Sequence, residues 1–398
     1  GFECIMLDYP LESYKQELRV KGLRFIGECF SSVFTQKRKH AFFREIADWE
    51  NRITSLSPDR VYLDAQCALR TALYHKLGIP VVLVETMPLS LYDPWVPPFT
   101  SGLIPKQTGI SRLGIRLAWE KIVIARKIRN LFFSMLLCRQ DYFSLYKRLF
   151  LECGFPFEEN IDWRRPFIVG IKGIEILSMT PASLDFPHKY PPKCQYAPSR
   201  VDLKREENML NKRYLRVMED VCLLKQQRPD TKIIYCFSST VMGFEKRSKI
   251  IFMKIRDICL RNPQFVFILS VGKYHNTSYL LPCPSSLYVF QLVPQLHLLS
   301  YCDLMITSGG MNSVAECIEK EVPMLVCPLS LKSDQLGNSA RVVYHGLGLR
   351  ARIKLDSSRT IEKRIVQLFE NYATFKRNLF MMRTKILAES TAINTGVI

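Results

Sequence analysis

A chain of 398 residues is long enough for two or three domains and can bury a core without help from disulfides or metals. Apolar residues make up 47% and charged residues 23%, a globular balance that excludes disordered, collagen-like and coiled-coil classes. Lys plus Arg number 56 against 37 Asp plus Glu, a formal charge of +19, so the partner to look for is anionic: nucleic acid, a phosphorylated small molecule or an acidic membrane face.

The chain opens in an apolar run, Phe2–Leu7, which reads as a strand met without the element that should precede it. Further short runs rich in Val, Ile, Leu and Phe follow at Arg60–Leu63, Val81–Glu85, Lys232–Phe237, Gln264–Val271, Asp303–Thr307 and Pro323–Cys327. Several are apolar on both alternating faces, the pattern of parallel strands covered on both sides by helices. Amphipathic segments at Phe42–Ser55, Ala65–Leu77, Lys246–Arg261 and Asn312–Lys320 lie between them. This alternation predicts an α/β fold of two doubly wound, Rossmann-like domains.

Proline density marks the expected boundary. Pro181, Pro187, Pro191, Pro192 and Pro198 fall close together, a charged segment follows, and a new strand begins at Lys232. The division predicted is 1–199 and 200–398. Within the first half, Ser111–Glu152 holds nine Lys and Arg residues against three acids, interleaved with Trp119, Phe132, Phe133 and several Leu and Met. Such a segment can lie on an anionic membrane, or form a solvated helix pair whose apolar side packs on the sheet. No recognition motif accompanies the charge, which argues against nucleic acid.

Thirteen cysteines without paired spacing point to a reducing, cytoplasmic setting, and no apolar run reaches 18 residues. No Asp-x-Asp motif or His cluster suggests a metal. The informative stretch is Leu292–Gly348. Within it, Asp303–Thr307 reads as a strand, Ser308-Gly309-Gly310 as a tight turn, and Asn312-Ser313 as the start of a helix. Strand, glycine turn and helix N-terminus together suit a phosphate, because free N–H groups and the positive end of the helix dipole converge there. Glu316 shares a helix face with Asn312 and Ser313 and suits the paired hydroxyls of a ribose. A plain turn with a Ser or Asn cap would give the same local pattern.

The whole string resembles the nucleotide-sugar-binding signature of the UDP-glycosyltransferase family, enzymes of the two-domain GT-B fold. The matching residues are Pro294-Gln295, Gly309-Gly310-Met311-Asn312-Ser313 with Glu316, Val322-Pro323, and Asp334-Gln335 with Asn338. Pro58–Pro80 resembles, more weakly, a strand, Asp and helix of the family's N-terminal half. The resemblance implies that the domains face each other across a cleft, the first binding acceptor and the second a UDP-hexose. Val293 and Gln295 would meet the nucleoside and Glu316 the ribose. Ser239, Ser308, Gly309, Gly310, Asn312 and Ser313 would surround the diphosphate, and Asp334 and Gln335 would hold the sugar.

The resemblance also implies an inverting, metal-independent hexosyl transfer that requires no cofactor, with Asp64 orienting a His base. Gly1-Phe2-Glu3 resembles the Gly-x-Glu after the family's first helix, so that helix, the first strand and the His are expected upstream of residue 1. Three positions depart from the family pattern: Leu292 replaces a base-stacking Trp, Ser308 a His, and Glu321 a Gly. Thr86–Pro98 and parts of Ser111–Glu152 are apolar and predict a hydrophobic or lipid acceptor, with possible peripheral membrane contact. A nucleotide-sugar epimerase and a catalytically dead nucleotide- or membrane-binding module are the alternatives.

Overall fold

A computed structural model describes residues 32–166, 169–190, 192–197, 201–205, 207, 211–237, 245–272 and 276–394. The strand expected at Phe2–Leu7 and the candidate Ser239 lie outside these. The chain forms two compact units, 1–84 with 119–176, and 85–118 with 177–398.

The first unit starts with α1 (Ser32–Leu56), then β1 (Val61–Asp64), a 3-10 turn (Ala65–Arg70), α2 (Thr71–Lys76) and β2 (Val81–Glu85). Strands β1 and β2 are parallel, with Val61 opposite Val81 and Asp64 opposite Val84. The helix predicted over Ala65–Leu77 begins as a 3-10 turn because Asp64 caps it, accepting Gln66 N–H at 2.8 Å. Helix α3 (Gly109–Leu136) is followed by α4 (Tyr142–Glu152), α5 (Phe157–Asn160) and the antiparallel pair β3 (Ile161–Asp162) and β4 (Gly170–Ile171). The segment 111–152 is therefore a helix pair.

Aromatic packing ties α1 and α4 together, Phe42 meeting Tyr146 edge-to-face at 5.1 Å. The second half of α3 is docked by a charge. Arg126 is buried and donates to the carbonyls of Trp163 at 2.8 Å and Pro166 at 3.1 Å. Burial pulls its pKa down to about 10, and the two carbonyls take up the donors that desolvation would otherwise strand.

The second unit contains β6 (Gln195–Tyr196), which pairs in parallel with β5 (Glu175–Ser178), and a six-stranded sheet. In chain order, α6 (Lys212–Gln227) leads into β7 (Lys232–Phe237), α7 (Glu245–Arg261), β8 (Phe265–Ser270), β9 (Leu287–Phe290) and α8 (Gln295–Leu299). Then come β10 (Leu304–Thr307), α9 (Met311–Glu319), β11 (Met324–Val326), α10 (Gln335–Tyr344), β12 (Gly348–Arg350), α11 (Ser358–Glu370) and α12 (Tyr372–Asn394). The sheet order is β12-β11-β10-β7-β8-β9, all neighbours parallel. Counted within the unit this is the 3-2-1-4-5-6 order of a doubly wound dinucleotide-binding sheet.

Alternation along β7 divides the interior into two cores. Ile233 and Tyr235 join one, with Val266, Met305, Val314 and Met324. Ile234 and Cys236 join the other, with Phe267, Leu304, Ile306 and Leu325. Both sheet faces are covered, as the continuous apolar strands require. All eleven cysteines among the described residues are free, and Cys236, Cys302, Cys317 and Cys327 are buried. No helix among them is long and apolar enough to cross a membrane.

The proline-rich stretch near 180–197 belongs to the second unit, held by a buried charge cluster. Asp185 accepts from Arg341 on α10 at 2.5 Å. His188 bridges Asp93 at 2.8 Å and Asp185 at 3.5 Å. Burial opposes charge on both Asp185 and His188, but their partners prevail: Asp185 is held at about 2 and His188 is raised to about 9. Because the His188 value lies above its unfolded value of ~6.5, its contribution is complete below pH ~6.5 and lost as pH rises through about 9. Stability against thermal unfolding should thus fall from pH ~6.5 to ~9 by on the order of 2 kcal/mol, and His188→Asn should flatten that slope. A variant that keeps the parent's slope would show the imidazolium bridge contributes nothing.

Candidate active site

The loop after β10 leaves the carboxyl edge of the sheet where strand order reverses between β7 and β10, the position at which open α/β sheets bind ligands. Ser308 is buried there, and Gly309 takes φ +86°, a left-handed conformation that L side chains avoid. A Cβ on Gly309 would lie 2.5 Å from Cγ1 of Val326 on β11. The turn accordingly needs glycine both for its angle and for its space.

Helix α9 starts immediately after it. Its N-cap is Gly310, which has no side chain to cap the first turn, so the opening N–H groups face the site without an internal acceptor. Val314, Cys317 and Ile318 follow at helical spacing and are buried, which anchors the helix against the sheet. Asn312 is exposed at its start and Ser313 is buried. The helix ends in a Schellman turn, with Val322 N–H bonded to the Cys317 carbonyl at 2.8 Å and Glu321 N–H to Ile318 at 3.1 Å. Glu321 occupies the left-handed position, φ +53°, where glycine is least strained.

Asn338 on α10 holds the turn from the other side. Its amide donates to the Gly309 carbonyl at 2.8 Å and to Asp334 Oδ2 at 2.8 Å. Asp334 is the N-cap of α10, and burial raises its carboxyl above the usual range. Gln335 is buried beside it, its amide oxygen accepting Leu329 N–H at 2.9 Å and Ser330 N–H at 2.8 Å. That oxygen braces the loop after β11, leaving only the amide N–H groups of Gln335 to donate elsewhere.

Gln295, the first residue of α8, donates to Glu316 Oε2 at 2.7 Å, and its Nε2 lies 3.5 Å from Ser313 Oγ. Tyr235 donates to the Gln295 oxygen at 2.9 Å. Burial keeps that phenol protonated, its pKa pushed far above the usual range. Glu316 is buried, and its other oxygen accepts from Arg205 at 2.6 Å. Glu207 accepts the N–H groups of Leu296 and His297, both at 2.9 Å, and so fastens the same segment to the start of α8. Val293 is half-buried against the α6 side of the core, and Leu292 is exposed.

The candidates Gln295, Ser313 and Glu316 thus lie together, as do Gly309, Asp334 and Gln335, with Ser308, Gly310 and Asn312 in the connecting turn. Asp64 belongs to the other unit, at the carboxyl end of β1. The sequence reading missed Arg205, Glu207 and Tyr235. None has a spacing that signals a role; their contacts span 60 to 111 residues of chain.

Comparison with known proteins locates the likeness. Residues 277–388, which span α8 to α10 but not Arg205, Glu207 or Tyr235, match the profile of the UDP-glucoronosyl and UDP-glucosyl transferase family. Over this stretch the chain is similar to the UDP-glycosyltransferase family. A zeaxanthin glucosyltransferase from Pantoea ananas is 33% identical over 111 residues, 28% of this chain and 25% of the relative. The NDP-glycosyltransferase YjiC of Bacillus subtilis (strain 168) is 36% identical over 98 residues, 25% and 24% of the two chains. The matches therefore span about a quarter of these curated relatives.

Solved structures extend the likeness in fold. The calicheamicin glycosyltransferase CalG4 superposes with a TM-score of 0.58 at 14% identity, covering 96% of this chain and 81% of that one. The glycotransferase of kitacinnamycin gives 0.57 at 16% identity, covering 92% and 79%. The fold is that of GT-B glycosyltransferases, as the family resemblance implied.

Gly309→Ala tests the turn directly. The left-handed angle and the clash with Val326 should together cost about 2–4 kcal/mol, read as a fall of roughly 5–10 °C in melting temperature. An unchanged melting temperature would contradict the geometry described for this turn.

Proposed function

We propose that this protein transfers a hexosyl group from a UDP-sugar to a hydroxyl of a hydrophobic small-molecule or lipid acceptor. The observation that carries this reading is the uncapped N-terminus of α9 at the switch point, bound through Asn338 to Asp334 and flanked by the Gln295–Glu316 pair. The division of labour proposed is 1–199 for the acceptor and 200–398 for the donor.

In this reading the departing UDP carries its negative charge against the first N–H groups of α9. The backbone of Gly309 and Gly310 and the hydroxyls of Ser308 and Ser313 contribute alongside them, with Ser239 from the loop after β7. These donors neutralise developing charge in place, so the departure of the diphosphate does not call for a metal. Val293 and Gln295 border the nucleoside, Glu316 accepts the ribose hydroxyls, and Asp334, Gln335 and Asn312 orient the sugar and its phosphates. Asp64 is assigned the positioning of a base that takes the acceptor's proton from the face opposite the leaving group, which inverts the anomeric centre. The hydrophobic acceptor reading rests on the apolar segment Thr86–Pro98, and contact of 111–152 with an anionic membrane surface would deliver a lipid-borne alcohol.

Arg205 stands where the ribose hydroxyls would bind, so nucleotide and Arg205 compete for Glu316. Titration calorimetry with UDP should show Glu316→Gln weakening binding about tenfold or more, and Arg205→Ala tightening it several-fold. Equal affinity in parent and Glu316→Gln would remove Glu316 from the nucleotide site. Absence of UDP binding, together with no glycoside formed from UDP-glucose and hydrophobic alcohols, would overturn the transferase reading.

A further inference from the structure

Helix α3 is apolar on two sides, and only one of them is used. Ile115, Trp119 and Arg126 point inward and are buried. Leu113, Leu117, Ile124, Ile128, Leu131 and Met135 recur at intervals of three, four and seven residues, which places them on a single opposite stripe. Each of the six exposes more than half of its surface, from 56% at Ile124 to 69% at Met135. A soluble helix normally keeps one apolar stripe and turns the other face polar. Six large aliphatic side chains aligned in water along one helix form a patch of the kind that marks an interaction surface.

The rim of the stripe indicates what covers it. Arg116 and Lys121 are exposed on or beside it, and among the described residues neither is ion-paired. Glu120, the acid nearest the stripe, is neutralised by Arg164 at 3.2 Å. Arg126 faces inward to the Trp163 and Pro166 carbonyls and is not part of this rim. The exposed charge around the apolar stripe is therefore cationic. A helix of 28 residues is about 42 Å long, enough to lie across several lipid headgroups with its aliphatic side chains in the headgroup–acyl boundary.

We propose that the Leu113–Met135 stripe of α3 is a docking surface for an anionic lipid bilayer, entered flat rather than spanned. The proposal deepens the membrane contact of 111–152 assigned above and rests on it, but it is independent of nucleotide binding. Lys147 on α4, by contrast, is already paired with Glu158.

The test uses the full chain and vesicles of phosphatidylcholine with or without phosphatidylglycerol, read by cosedimentation. Binding should require phosphatidylglycerol, fall with salt, and drop about tenfold or more in the triple variant Leu117→Gln, Ile124→Gln, Leu131→Gln. Arg116→Gln with Lys121→Gln should reduce it several-fold. Melting temperature and UDP affinity, measured on the same variants, should match the parent because these side chains lie in solvent. Vesicle binding unchanged by the triple variant would overturn the stripe while leaving contact by another part of 111–152 intact, and no binding to either vesicle would overturn both. A concentration-dependent dimer in sedimentation velocity that the triple variant abolishes, without vesicle binding, would assign the stripe to a second copy instead. Loss of UDP binding in the parent would overturn only the donor reading.

Discussion

One carboxamide organises the second unit's site. Asn338 is fully buried, and its amide reaches both the Gly309 carbonyl and the Asp334 carboxylate. The first bond fixes the left-handed turn that aims the start of α9; the second fixes the carboxylate at the start of α10. Two helix N-termini separated by a strand are thereby kept in register by a single side chain. A buried polar group of this kind is stable only because both of its protons find acceptors. The same bonds couple the placement of the glycine turn to that of the start of α10.

The sheet provides the frame for that clamp. Reversal of strand order between β7 and β10 opens a gap at the carboxyl edge, and the continuous apolar strands on either side fix where the edge lies. Glu316 and Gln295 close the arrangement beside the first turn of α9. The pairing of Glu316 with Arg205 brings an element from outside the motif into the site, so the charged segment after the proline-rich stretch is more than a linker.

Much of this was legible in the residues. Strands β2 and β7 coincide end for end with their apolar runs, because buried parallel strands write themselves as unbroken hydrophobic stretches. The glycine turn and its helix were legible from composition and spacing alone. Other features were not. Short β5 and β6 lie in and beside proline-rich chain with no alternation long enough to read. The bracing role of the Gln335 oxygen, and the pairing of Glu316 with Arg205, depend on tertiary contacts that no local pattern encodes. Helix α3 was recognisable as basic and amphipathic, but being apolar on two sides it gave no indication of which side the core would take. The membrane and core readings of that segment both follow from this ambiguity, and Trp119 and Arg126 settle which residues belong inside.

The unpaired thiols carry a separate consequence. Cys236, Cys302, Cys317 and Cys327 sit in the cores on the two faces of the six-stranded sheet, where burial holds each thiol above its ordinary pKa and away from solvent. Cys138 and Cys283, by contrast, are exposed. Alkylating reagents therefore meet two populations, one reactive at once and one reached only when the sheet opens. The molecule carries its own chemical clock for unfolding of the second unit, placed where a ligand bound at the switch point would slow it most.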